Sequence, residues 1–94
     1  MKENEKCIEN GEGVSLIAVE VDKTITLLPY VDLRRVDVET DSVLFDFGEI
    51  VVEVRGQSLH EIVPLIQRQQ VAVIRSGGKT GLKIDSVRLL EKSE

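Results

Sequence analysis

Two runs of strict apolar alternation, Val43, Phe45, Phe47 and then Ile50, Val52, Val54, are separated only by Gly48-Glu49. Successive side chains of a strand point to opposite sides, so each run gathers its apolar residues on one face and leaves Asp46, Glu53 and Arg55 on the other. Joined by so short a glycine-containing turn, the runs predict an antiparallel hairpin with one buried and one wet face. A slip of one residue would expose both phenylalanines, so the register is firmly specified. Any fold open to this chain must cover that Phe- and Val-lined face.

The cover is expected from the segment that follows. Past Gly56, Leu59, Ile62, Val63 and Ile66 recur at i, i+3, i+4 and i+7, the apolar stripe of an amphipathic helix over about 58–69. Ser58 and Glu61 have the spacing of a capping box, in which the hydroxyl and the carboxylate satisfy each other's backbone amides. Pro64 conflicts with a long helix. An interior proline removes one hydrogen bond and crowds the carbonyl of His60, a cost of about 3 kcal/mol, so the helix is expected to be kinked or short.

The remaining apolar bursts read as strands. Val14–Val21 and Thr24–Leu28 flank Asp22-Lys23 as a second hairpin, and Pro29, which lacks an amide donor, ends it. A short strand is expected at Leu33–Glu39 and another at Val71–Arg75. The final segment, Leu82–Leu90, alternates in two phases with a break at Asp85-Ser86. A β-bulge explains that break, and a short strand followed by a helix capped by Ser86 is the alternative. The fold class is therefore α+β and mainly β. Six or seven mostly antiparallel strands form a curled sheet or a small barrel or roll, with the helix inserted before the last strands. Residues 1–13 are polar, charged and without apolar period, which predicts a flexible tail, and 14–92 form a single domain, since 94 residues are too few for two cores.

The succession Leu28-Pro29-Tyr30-Val31-Asp32-Leu33, the hairpin Val43–Val54 and a helix from Leu59 together resemble small bacterial pleckstrin-homology-like domains. Over about half the chain, the resemblance implies strands that precede a helix plugging a barrel. The two strands expected after the helix depart from that pattern, and the resemblance assigns no functional residue.

Charge and composition exclude several function classes. The formal net charge is −5, which disfavours broad binding to nucleic acid or an anionic membrane surface. Its distribution is uneven: residues 68–88 hold five bases and one acid, a net of +4, against −9 for the rest. Such polarity suits contact between basic and acidic faces of neighbouring copies, or local capture of an anion, although solvated strands carry charge in any case. Apart from Tyr30, the only aromatics are Phe45 and Phe47, both on the expected buried face, so single-stranded nucleic acid finds little to stack on. No stretch is apolar for long enough to span a membrane, and the first residues lack the apolar core of a secretory signal, so a cytoplasmic location is expected. Cys7 is the single cysteine and can form neither an internal disulfide nor a metal cluster.

Candidate chemistry is sparse. His60 falls beside the helical stripe with no nucleophile tied to it, which reads as a surface residue. Asp37, Glu39 and Asp41 alternate as cation ligands could, but lack the glycine and terminal glutamate of a calcium loop. Asp46 and Glu53 could stand as an acid and base pair, and read more simply as a polar face near Arg55. Gly78-Lys79-Thr80 imitates the end of a phosphate loop, yet position 73, where that motif needs glycine, is Val. The basic, glycine-rich loop could still offer an anion site from Arg75, Gly77, Gly78, Lys79 and Lys83. No catalytic set, metal site or cofactor is expected. The leading expectation is a non-catalytic binding or assembly domain that recognises a protein partner or itself, with an anion- or nucleotide-binding domain second and an enzyme subunit needing a partner chain third.

Overall fold

The computed structural model describes residues 8–78 and 81–91. Eight strands run β1 Ile8–Asn10, β2 Leu16–Val21, β3 Thr24–Pro29, β4 Arg35–Val38, β5 Ser42–Asp46, β6 Ile50–Gln57, β7 Val71–Ile74 and β8 Lys83–Glu91. A 3-10 turn at Tyr30–Asp32 links β3 to β4. Between β6 and β7 come a second 3-10 turn, Leu59–Ile62, and one short helix, α1, Val63–Gln67. The strands form two four-stranded sheets, ordered β1-β7-β2-β3 and β4-β5-β6-β8.

The protein is thus β-rich with one short helix, as expected, but the strands do not close into a barrel. They lie in two four-stranded sheets, eight strands where six or seven were expected, and the helix-plugged barrel implied by the resemblance does not form. The division falls at Pro29, which ends β3; the chain then leaves through the Tyr30–Asp32 turn instead of returning alongside β3, so β3 and β4 each remain at an edge.

The hairpin legible in the sequence is the centre of the second sheet. Val43 faces Val54 and Phe45 faces Val52 across the β5–β6 ladder, and all four side chains are fully buried. Asp46 caps the turn, its Oδ1 accepting the Gly48 amide at 2.8 Å, and Gly48 adopts φ +98°, a conformation suited to glycine. Leu59 and Ile62 from the 3-10 turn join these residues, with Ile17, Val19, Leu28 and Ile74 from the first sheet and Ile84 and Val87 from β8, in one core cluster.

Three local expectations are corrected. The helix over 58–69 is instead a 3-10 turn followed by a single α-helical stretch. Pro64 sits in the first turn of α1, where its missing amide costs nothing, so the proline marks a helix start and not a helix interior. The capping box does not form: Ser58 leaves β6 with φ +55°, and its side chain makes no capping bond, because an N-cap requires an extended backbone at that residue. Lastly, the expected tail of residues 1–13 is partly structured. Ile8–Asn10 pair antiparallel with β7, and Ile8 is only 7% exposed. Residues 1–7, with Cys7, lie outside the described residues.

The bulge in the last strand is present. Arg55 pairs with Ser86 and Gly56 with Ile84, so Asp85 is the extra residue of β8, and the strand continues to Glu91 with no helix after Ser86. Among the described residues no helix is long and apolar enough to cross a membrane.

Candidate functional site

The described residues of the loop expected to hold an anion make contacts with neighbouring groups of the fold. The Arg75 guanidinium contacts the Glu9 carboxylate at 2.7 Å and that of Glu20 at 3.0 Å, clamping β1 and β2 to the end of β7. The hydrogen bond with Glu9 holds the Arg75 pKa above its usual value. The Gly77 amide donates to the Ile84 carbonyl at 2.8 Å and the Ile84 amide returns the bond at 2.9 Å, so that glycine closes a bridge to β8. Lys83 lies 3.8 Å from Asp85 on its own strand. Gly78 continues the turn with φ +97°, and Lys79 lies outside the described residues. Arg75, Gly77 and Lys83 therefore already have partners within the fold.

The other sequence candidates also resolve into structure. His60 is exposed on the 3-10 turn. Asp37 pairs with Arg35 at 3.2 Å, while Glu39 and Asp41 are exposed, and among the described residues no group of three or more His, Cys, Asp or Glu is placed to hold a metal ion. Glu53 receives Arg88 across the β6–β8 ladder at 2.7 Å and Arg55 at 3.2 Å. The Arg88 hydrogen bond draws its carboxyl below the ordinary glutamate range. Tyr30, the aromatic left for stacking, is buried instead. Its hydroxyl accepts the Val71 amide at 3.0 Å and donates to the Val71 carbonyl at 3.1 Å, joining the 3-10 turn to β7. Burial raises its pKa, and the bond with Val71 acts in the opposite sense.

Two surface depressions are bordered by described residues. A cleft of about 360 Å³ is bordered by Leu28, Asp32, Arg34, Phe47, Glu49 and Ile50. It mixes one cation with two carboxylates and contains neither histidine nor a nucleophile. A smaller apolar groove of about 200 Å³ lies between β4 and α1, lined by Val36, Val38, Val63 and Ile66.

The most unusual surface is the β2–β3 hairpin. Its inward side carries Ile17, Val19 and Leu28, all buried. Its outward side carries Leu16, Ala18, Ile25 and Leu27, with Ala18 facing Leu27 and Glu20 facing Ile25 across the ladder. Leu16 is 46%, Ile25 60% and Leu27 56% exposed. β3 is also a sheet edge, and none of its six residues is charged. The other three edge strands each carry charge: Glu9 on β1, Arg35 and Asp37 on β4, and Lys83, Asp85, Arg88 and Glu91 on β8. Charges on edge strands discourage pairing with foreign strands, and β3 lacks that protection. The uncharged run TITLLP was visible in the sequence; that it borders solvent was not. No protein-family model, no curated protein and no solved structure matches the chain.

Proposed function

We propose that this chain is a non-catalytic assembly domain that associates with copies of itself. The observation that carries the reading is the exposed apolar side of the β2–β3 hairpin, Leu16, Ile25 and Leu27, beside an uncharged free edge. Apolar side chains exposed on one side of a hairpin cost free energy in contact with water, and a partner that covers them lowers that cost. The titratable groups singled out as candidates support the same reading. Arg75 and Glu53 are engaged in ion pairs that hold strands together and Asp37 pairs with Arg35 on its own strand, with no nucleophile and base converging on either cleft. Charge polarity within the chain favours an ordered contact over an indefinite one.

Sedimentation velocity on the full chain, from about 1 to about 500 µM, tests the proposal, because self-association must follow mass action. A mass that climbs from one chain to a defined multiple is expected. A single-chain mass over the whole range, at low and at physiological salt, overturns it.

A further inference from the structure

Resting on the reading of self-association, we infer that the contact is strand to strand: β3 of one copy pairs antiparallel with β3 of a second about a two-fold axis between their Thr26 residues. Hairpin geometry sets which backbone groups are offered. In a two-residue hairpin the residues flanking the turn, here Val21 and Thr24, form a hydrogen-bonded pair, so Thr24, Thr26 and Leu28 direct their amides and carbonyls toward β2. The Tyr30 amide, which donates to the Ser15 carbonyl at 2.9 Å, continues the same phase. Ile25 and Leu27 therefore point their N–H and C=O groups toward the open edge, and Pro29 offers a carbonyl alone.

With the axis between the Thr26 residues, Ile25 stands opposite Leu27 of the second copy, and each of these residues both gives and receives a hydrogen bond. Pro29 falls opposite the turn residue Lys23, beyond the ladder, where its missing donor leaves no acceptor unmet. The apolar side chains that water now touches become cross-strand neighbours, Ile25 against Leu27, while the two threonines meet on the inner face, a favoured pairing. At the ends the Asp22-Lys23 turn of each copy, one acid and one base, comes opposite Pro29 and Tyr30 of the other. Lys23 of one copy approaches the Tyr30–Asp32 turn of the other, and neither Lys23 nor Asp32 has an ion-pair partner among the described residues. The pairing is isologous and closes on itself, leaving only the charged edges β1, β4 and β8 outward, so it stops at two copies.

Amide hydrogen exchange on the full chain, with sedimentation of Leu27→Lys and Val38→Lys, tests this. The Ile25 and Leu27 amides are expected to gain protection as concentration rises, Leu27→Lys to weaken dimerisation at least about 30-fold, and Val38→Lys on the β4 edge to leave it unchanged. If the wild-type chain dimerises while the Ile25 and Leu27 amides exchange at concentration-independent rates, or if only Val38→Lys breaks the dimer, the strand pairing is wrong and self-association stands. A chain that stays monomeric removes both. The exchange measurement needs no variant, so a misfolded Leu27→Lys leaves the test intact.

Discussion

Gly56 shows how one residue can be demanded by a contact far along the chain. It pairs with Ile84 immediately beside the Asp85 bulge, and a Cβ built on it would lie 1.9 Å from the Lys83 carbonyl oxygen and 2.9 Å from the Ile84 Cα. These are backbone atoms and cannot swing aside. Replacing Gly56 with Ala would restrict the unfolded chain, which by itself stabilises by about 0.4–1 kcal/mol. The clash is the larger effect: forcing β6 and β8 apart at the bulge costs about 3 kcal/mol. Urea unfolding of Gly56→Ala is expected to show that net loss, and an unchanged midpoint would mean the two strands are not in this register. Tyr30 makes a related point: its hydroxyl reaches a backbone amide and carbonyl 41 positions away, a contact that no local pattern encodes.

At the level of elements, α1 ends more regularly than it begins. The Gln70 amide donates to the Leu65 carbonyl at 2.8 Å and the Gln69 amide to the Ile66 carbonyl at 3.0 Å, the bond pattern of a Schellman motif. The residue that must turn left-handed there is Gln69, at φ +54°, where glycine is the usual occupant. A left-handed non-glycine residue costs about 1 kcal/mol or more, and the greater freedom of an unfolded glycine offsets part of the gain from replacing it. Gln69→Gly is therefore expected to stabilise by about 0.5 kcal/mol, a rise of about 3 °C in Tm by calorimetry. A fall in Tm would show that the Gln69 side chain matters more than its backbone. The beginning of the same segment shows the limit of pattern reading: the i, i+3, i+4 stripe locates Leu59 and Ile62 in the core correctly, yet a 3-10 turn followed by α1 serves that burial as well as one helix.

Across the whole molecule, ion pairs tie together strands distant in sequence, and they make stability depend on pH. Arg88 holds the Glu53 carboxyl below its ordinary pKa, so the native state binds that proton less readily than the unfolded chain. The contribution is complete above the unfolded glutamate pKa, near about 4.3, and is lost as pH falls through the folded value. Glu53→Gln is expected to be less stable than wild type at pH 7 by about 0.5–1 kcal/mol, as for a pair whose arginine is solvent-exposed, with the gap narrowing toward pH 3 in denaturant titrations. A gap independent of pH would show that the carboxylate charge is not what Glu53 contributes. What the amino-acid order determined unaided was local: the β5–β6 hairpin, the β2–β3 turn and the break in alternation at Asp85-Ser86 follow from side-chain alternation and turn chemistry between near neighbours, while the structure decided that the break is a bulge. Only the tertiary structure decided that Ile8–Asn10 completes a sheet, that Arg75 pairs with Glu9 and Glu20, and that β3 lies at an edge. A strand apolar on both faces reads equally as central or as exposed, because alternation records which way side chains point and not which strands lie alongside; that depends on contacts between residues far apart in the chain, and no local period encodes them.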